Sequence, residues 1–208
     1  MDFNHAQKQF ENGGDFEVIP ENTIVDLVMT IRPGHAGDGG WLTQGKPSAS
    51  SNTGWLYLDC EFTVIGGPFD KRKIWQNMMY QNPSPVDAGK AEKTQNITLA
   101  NLRAILESAR GIHPADESEA AKNARRISGW ADFNGIQFKA KLKVEKGRDN
   151  YPDKNQIKAI ITPDMAEHKG ATVTPMPAPA QSVGQAAQTV VTQQATAQAA
   201  GTVPAWAR

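Results

Sequence analysis

Alternating apolar and polar side chains predict two neighbouring β-strands in residues 55–80. Side chains in a strand point alternately to opposite faces of a sheet, so one face of the first strand can enter a core. The first strand covers residues 55–65 and ends at the turn sequence Gly66-Gly67-Pro68, and the second strand covers residues 72–80. The apolar face of the first strand carries Leu56, Leu58, Cys60, Phe62 and Val64.

Further strands are predicted outside this pair. Residues 23–31 and 155–162 each have the apolar content of a strand, whereas residues 34–53 are rich in Gly, Ser and Asn and predict a loop. Residues 130–133 and 137–145, separated by Asn134-Gly135, predict a hairpin because this dipeptide favours a tight turn.

A helical region is predicted after the third strand, which ends at residue 80, and before the hairpin that begins at residue 130. Leucine, isoleucine and alanine recur at helical spacing over residues 98–109. The sequence Asp116-Glu117-Ser118-Glu119 resembles a capping box and predicts a second, short helix.

The order of the predicted elements is three strands, a helical region, and two or three strands. An OB barrel has five strands and commonly a helix between the third and fourth, which fits this order. Another small β-barrel or an α+β sheet fits it as well. We expect a mainly β chain with an OB-like five-stranded barrel in residues 14–165 and a helical insertion between strands 3 and 4.

The composition of the chain changes near residue 168. All acidic residues lie at or before Glu167, and the remainder is dominated by Ala, Gln, Thr, Val and Pro. Such a segment has too few large apolar groups to offset its ordering entropy. We predict a disordered tail over residues 166–208, with Trp206 and Arg208 as a partner-binding point, and a short N-terminal arm over residues 1–13.

Charge and cysteine content narrow the class of protein. The 208 residues carry 22 basic and 22 acidic side chains, so a binding surface must come from the arrangement of charges. A single cysteine, Cys60, excludes an internal disulfide and suits a reducing compartment. The first residues lack the features of a signal peptide, and no stretch is apolar enough to span a membrane. We expect a cytoplasmic protein that contacts no membrane.

Sequence motifs for catalysis, cofactors and metals are incomplete. Residues 40–46 have the spacing of a phosphate-binding loop, but Pro47 stands where that motif requires Ser or Thr. The four histidines are far apart in the sequence, and the chain has only one cysteine. This set lacks the paired spacing of zinc ligands. We therefore expect no enzyme activity, no cofactor and no metal.

Basic and aromatic residues supply a different chemistry. In residues 137–145 lysines occupy one strand face, which fits either a solvated edge or a binding surface. Segments 71–73 and 139–158 together hold ten basic and three acidic residues. Aromatic rings beside such cations suit single-stranded nucleic acid, because bases stack and phosphates are neutralised. The candidate binding residues are Lys71, Arg72, Lys73, Trp75, Trp55, Tyr57, Lys139, Lys141, Lys143, Lys146 and Arg148.

Three groups of residues resemble a bacteriophage and prophage family that was long catalogued as a domain of unknown function. They are Asp15-Phe16 with Ile19-Pro20, residues 56–62 leading into Gly66-Gly67-Pro68-Phe69 and Lys71-Arg72-Lys73, and Tyr151-Pro152-Asp153 with Asn155-Gln156-Ile157-Lys158. The resemblance covers residues 14–164. It implies an OB fold, a flexible C-terminal tail and single-stranded-DNA binding.

Together the residues and the resemblance predict a sequence-independent single-stranded-DNA-binding protein of phage replication or recombination, acting in the bacterial cytoplasm. The tail is expected to contact phage replication or recombination proteins. It lacks the acidic C-terminal tip with which many bacterial single-stranded-DNA-binding proteins recruit their partners. Homo-oligomer formation is left open. The alternatives are a structural or protein-interaction β domain that binds no nucleic acid, and a nuclease accessory subunit.

Overall fold

Seven antiparallel strands form the framework of the protein in the computed structural model, which describes residues 17–148 and 151–169 and only the backbone of Asp38. Two α-helices and three short 3-10 helices complete the described elements. The strands are β1 (Ile24–Arg32), β2 (His35–Ala36), β3 (Leu42–Gln44), β4 (Leu56–Ile65), β5 (Lys73–Gln81), β6 (Gln137–Glu145) and β7 (Lys154–Ile160). The helices are α1 (Ala88–Arg110) and α2 (Glu119–Ala124), with 3-10 turns at Asp38–Gly40, Trp130–Phe133 and Ala166–His168.

The strands pair in the order β2-β3-β4-β1-β6-β7, and β5 pairs with β4. Both β1 and β5 pair with residues 59–63 of β4, so they must occupy its opposite edges. The short β3 pairs with residues 56–57 of β4, where β5 occupies the opposite edge. It therefore lies on the same edge of β4 as β1, which pairs with later residues of that strand. The long strands therefore lie in the sequence β5, β4, β1, β6 and β7 across the sheet.

Alternation in these strands produces one buried face, as the sequence predicts. Every second residue of β1 and β4 is buried, and the rings of Phe62 and Phe138 meet edge to face at 5.8 Å between centroids. The inner side of α1 packs on the same face with Leu102, Ile105, Leu106 and Ala109. The buried area of these apolar side chains supplies the main stabilisation of the fold.

Helix α1 begins ten residues earlier than its apolar spacing predicts. The Asp87 side chain caps it by accepting from the backbone N of Lys90, and Gly111 ends it in the left-handed conformation. Its first half is mostly exposed and polar, so periodicity carries little signal there. Ser118 caps α2, in agreement with the predicted capping box.

A buried carboxylate joins the two helices. Glu107 of α1 is almost completely buried. Its Oε1 accepts hydrogen bonds from Arg103 Nε at 2.8 Å and from Arg125 Nε at 2.7 Å. The Arg125 guanidinium also donates to the backbone carbonyls of His113, Pro114 and Asp116. This network fixes α2 and the preceding loop on α1.

Two predictions of local structure are wrong. Residues 34–53 contain β2, a 3-10 turn and β3 in place of a featureless loop, so the described sheet has seven strands and not five. Residues 130–133 form a 3-10 helix and not a hairpin strand, because Trp130 packs against Tyr80 and Phe133. The partner of β6 is β1, and residues 134–136 extend that pairing through backbone bonds with Met29.

The sheet is open between β5 and β7. These strands run parallel, since four antiparallel steps separate them, and within the described residues no backbone ladder joins them. A side chain spans the gap instead, with Gln76 Oε1 accepting from the backbone N of Ile157 at 3.1 Å. The expectation of a mainly β chain is confirmed, with the helices placed between β5 and β6. The closed five-stranded barrel stays a prediction.

The ends of the chain fall largely outside the described residues. The predicted arm at residues 1–13 and the tail residues 170–208, including Trp206 and Arg208, belong to that part. Residues 166–168 turn back onto the sheet, where Glu167 pairs with Lys141 at 3.0 Å and His168 contacts the backbone O of Ser108. None of the helices in the described ranges combines the length and apolar character needed to cross a membrane.

Candidate nucleic-acid interface

The outer face of β4 and β5 carries an exposed tryptophan at its centre. Because Ile74 and Met78 point into the core, Lys73, Trp75 and Asn77 point away from it. Trp75 is 53 % exposed and stands opposite Glu61 of β4, whose Oε2 accepts from the indole Nε1 at 3.1 Å. The ring is therefore accessible to solvent and held in place at one edge.

Acidic side chains balance the cations of this outer face. Glu61 Oε1 lies 2.7 Å from Lys73 Nζ, and Asp59 Oδ1 lies 2.7 Å from Arg32 Nη2. The hydrogen bond from Lys73 is the main cause that lowers the pKa of Glu61, so this carboxyl stays ionised at neutral pH. The centre of the face is close to neutral, unlike the basic groove that the sequence predicts.

Two more aromatic residues extend the outer face toward the start of β4. Tyr57 is half-buried and stands opposite Met79 of β5. Trp55 is half-buried, donates from Nε1 to Ser50 Oγ at 3.3 Å, and forms one wall of a cleft of about 570 Å³. Met79 and Lys90 line the same cleft. The predicted aromatic residues thus share one side of the sheet.

The basic turn between β4 and β5 lies beyond the other end of this face. Lys71 adopts a left-handed backbone with φ of 67°, and its N–H donates to the Val64 carbonyl to close the hairpin. Arg72 Nη1 donates to the backbone O of Glu17 at 2.9 Å. Ile19 lies two residues after Glu17 and makes two hydrogen bonds with the Asn155 side chain. Its backbone N donates to Asn155 Oδ1, and its backbone O accepts from Asn155 Nδ2, both at 2.8 Å. These contacts connect the turn to the start of β7.

A second basic segment reaches the same end of the sheet. Neighbouring strands are antiparallel, so the loop from β6 to β7 lies at the end where β4 passes into β5. Lys146 Nζ lies 2.7 Å from Asp153 Oδ2, which raises the pKa of Lys146 and lowers that of Asp153. Lys154 pairs with Glu145 at 3.0 Å. Together with residues 71–73, this loop forms the basic end of the molecule.

Tyr151 belongs to this basic end and is absent from the site predicted from the sequence. Tyr151 is 79 % exposed, and it lines a cleft of about 370 Å³ with Lys146, Arg148 and Lys154. The available signal was an aromatic residue in a strand-connecting loop rich in Lys and Arg.

The predicted lysines of β6 form a strip apart from Trp75. Lys139, Lys141 and Lys143 point outward from β6, which β4 and β1 separate from β5 along the sheet. Three strand spacings amount to about 14 Å. Lys139 stands opposite Asp26 of β1, and Lys141 pairs with Glu167. The structure therefore divides the predicted site into the outer face of β4 and β5, the basic end, and this lysine strip.

The remaining described tryptophans have packing roles. Trp41 and Trp130 are half-buried against the core, and the Trp130 ring meets Tyr80 at 4.9 Å between centroids. The Cys60 thiol is fully buried, and this desolvation raises its pKa to about 12. Such a thiol stays protonated and unreactive, which agrees with the core role predicted for it.

No known family is identified for this chain. A scan against protein-family models found no match, and searches of curated proteins and of solved structures found no significant similarity. The resemblance to the phage family stays a prediction. Function must therefore be inferred from the chemistry of the surfaces themselves.

The described surfaces offer exposed aromatic rings and ion-paired cations. Within residues 17–148 and 151–169, no group of three or more His, Cys, Asp or Glu side chains could hold a metal ion. Exposed aromatic rings offer π-faces to bases, and neighbouring cations offer charge to phosphates. The outer face of β4 and β5, with the basic end beside it, presents both.

Proposed function

We propose that this protein binds single-stranded DNA on the outer face of β4 and β5. The observation that carries the proposal is Trp75, a large aromatic residue 53 % exposed beside Lys73 on a rigid strand. An exposed indole beside a cation offers a π-face to a base and a positive charge to its phosphate. Base stacking on an aromatic ring tolerates any sequence, since every base has a π-face.

The ion pairs indicate which parts of the surface stack on bases and which neutralise phosphates. Glu61 and Asp59 balance the central cations, so stacking on Trp75, Tyr57 and Trp55 supplies most of the attraction there. Phosphates are neutralised at the basic end, by Lys71, Arg72, Lys146 and Arg148, and by the lysine strip Lys139, Lys141 and Lys143. We expect affinity to depend on salt, but less steeply than for a uniformly basic groove.

An OB-type arrangement supports the same proposal. The five long strands follow the order expected of that fold, with α1 and α2 between the third and the fourth. We propose that the Gln76 bridge to Ile157 marks where β5 and β7 close the barrel. In OB folds the face of the second and third strands, here β4 and β5, binds oligonucleotides.

The biological setting is part of the proposal. The resemblance in residues 14–164 points to phage DNA replication or recombination in the cytoplasm of a bacterial host. Trp206 and Arg208 are proposed to recruit a partner protein. The protein would act by covering DNA and positioning it, without catalysing a reaction and without a cofactor.

Fluorescence titration tests the proposal directly. Oligo-dT should bind more tightly than duplex DNA of the same length and should quench the intrinsic tryptophan emission through stacking. The logarithm of the affinity should fall with the logarithm of salt concentration, by about 0.7 for each phosphate contacted.

The protein-interaction alternative makes the opposite prediction. It is favoured by the pairing of Lys73, Lys146 and Lys154 with acidic residues, which leaves fewer cations for phosphates. Absence of binding at low salt, or equal affinity for duplex and single strands, would support this alternative and exclude a stacking site on Trp75.

A further inference from the structure

Glu61 places a carboxylate at the rim of the exposed Trp75 ring. Its Oε2 lies 3.1 Å from the indole Nε1, and its Oε1 lies 2.7 Å from Lys73 Nζ. The Glu61 side chain is 19 % exposed, so it is accessible from the outer face without being fully solvated. A base stacked on the Trp75 ring brings its own edge near this carboxylate.

The Glu61 carboxylate has unused capacity to accept hydrogen bonds. Two oxygens offer roughly four acceptor positions. Trp75 and Lys73 occupy one position each. Because the bond from Lys73 lowers the pKa of Glu61, the group remains ionised and accepts without donating. The carboxylate can therefore accept a hydrogen bond from a donor group on a nearby base, and it repels an acceptor group at the same place.

We infer that Glu61 makes the stacking position on Trp75 prefer bases with an amino group on the Watson–Crick edge, so that cytosine is favoured over thymine. The inference rests on the proposed single-stranded-DNA binding and assigns a specificity-determining residue to it. Cytosine presents an N4 amino donor where thymine presents the O4 acceptor. The preference concerns one position and leaves binding to mixed sequences broadly tolerant.

The test compares strands that differ only on that edge. Oligonucleotides of 5-methyl-deoxycytidine and of thymidine, equal in length, share the methyl group and the ring size. Homopolymers place the same base on Trp75 in every register, and slightly alkaline buffer keeps cytosine strands unpaired. We expect the cytosine strand to bind roughly tenfold more tightly, near the lower end of what one hydrogen bond to a charged group contributes.

Two variants separate Glu61 from general effects of charge. In Glu61→Gln the amide both donates and accepts, so the ratio of the two affinities should fall to about one. Asp59→Asn is the matched control, because Asp59 lies on the same face and strand but pairs with Arg32. It should raise both affinities and leave their ratio unchanged.

A third variant tests whether Lys73 itself reads the base. Lys73→Gln removes the partner but keeps the carboxylate, so weaker binding with an unchanged ratio is expected. Equal binding of both strands by the wild type, or a preference that persists in Glu61→Gln, would overturn the inference while leaving the proposed function intact. Failure of the wild type to bind either strand would overturn both. Urea unfolding of each variant verifies that it is folded.

Discussion

Single residues on the outer face of β4 and β5 combine exposure with fixed position. Trp75 is exposed, yet its indole N–H is held by Glu61, so little rotational freedom is left to lose when a base stacks on it. Pre-organisation of this kind increases affinity because fewer side-chain rotamers must be frozen on binding. Trp130, by contrast, is fixed by Tyr80 and Phe133 and supports the core.

Substitution of Trp75 should therefore affect binding and not folding. We expect Trp75→Ala to weaken single-stranded-DNA binding by about 1–3 kcal/mol, the usual contribution of one stacked base. Its melting temperature should stay close to that of the wild type because the ring is largely exposed. Trp130→Ala is the matched control and should lower stability by roughly 3 kcal/mol. A Trp75→Ala protein that binds normally would exclude this ring from the DNA path.

At the scale of elements, the contact between α1 and α2 depends on Glu107. We expect Glu107→Ala to destabilise the protein by about 3–5 kcal/mol, because it leaves the Arg125 guanidinium, only 12 % exposed, without its carboxylate. Urea unfolding measures the change. Glu119→Ala provides the control, since its pair with Lys122 is mostly exposed and should contribute less than about 1 kcal/mol. Similar losses in the two variants would contradict a buried network.

The β6 lysine strip is tested as one element. Replacing Lys139, Lys141 and Lys143 together with Gln should reduce the salt slope of DNA binding by about 1 to 2, since each phosphate contact contributes about 0.7. The fold should be retained, as all three side chains point away from the core. An unchanged slope would restrict the DNA path to β4, β5 and the basic end.

The strands were predictable because one buried face leaves a two-residue period in the sequence. This period located β4, β5 and β6 to within a few residues, and apolar content located β1 and β7. It did not locate the first half of α1, which is polar and exposed, nor the 3-10 helix Trp130–Phe133, where the Asn134-Gly135 turn signal suggested a hairpin strand. Tertiary packing outweighed local propensity there.

The candidate site was only partly predictable for a related reason. The exposure of Trp75 follows from its place between the inward-pointing Ile74 and Gln76 neighbours on the strand. The pairing of Lys73 with Glu61 depends on the register of β4 against β5, which the sequence does not specify. For the same reason the separation of the lysine strip from Trp75 required the order of the strands.

At the scale of the whole molecule, the tail should be dispensable for folding and for DNA binding. Glu167 and His168 contact Lys141 and Ser108, so the truncation is best placed after Lys169. The shortened chain should keep its melting temperature and bind DNA within about threefold of the full chain, roughly 0.6 kcal/mol. It should lose partner recruitment or cooperative assembly.

A point variant distinguishes the end of the tail from its length. Trp206→Ala in the full chain should reproduce the loss of partner recruitment while leaving affinity for oligo-dT unchanged. A marked drop in melting temperature on truncation would instead show that residues 170–208 contribute to the folded core.

The gap between β5 and β7 has a consequence for solubility. Unpaired strand edges are templates on which strands of other molecules add, and proteins protect them to avoid aggregation. Here the two long edges approach each other across the Gln76 bridge, so each edge shields the other from a foreign strand. Loss of that bridge would uncover two templates at once. The gap between β5 and β7 is therefore the place where we expect aggregation to begin once this hydrogen bond is lost.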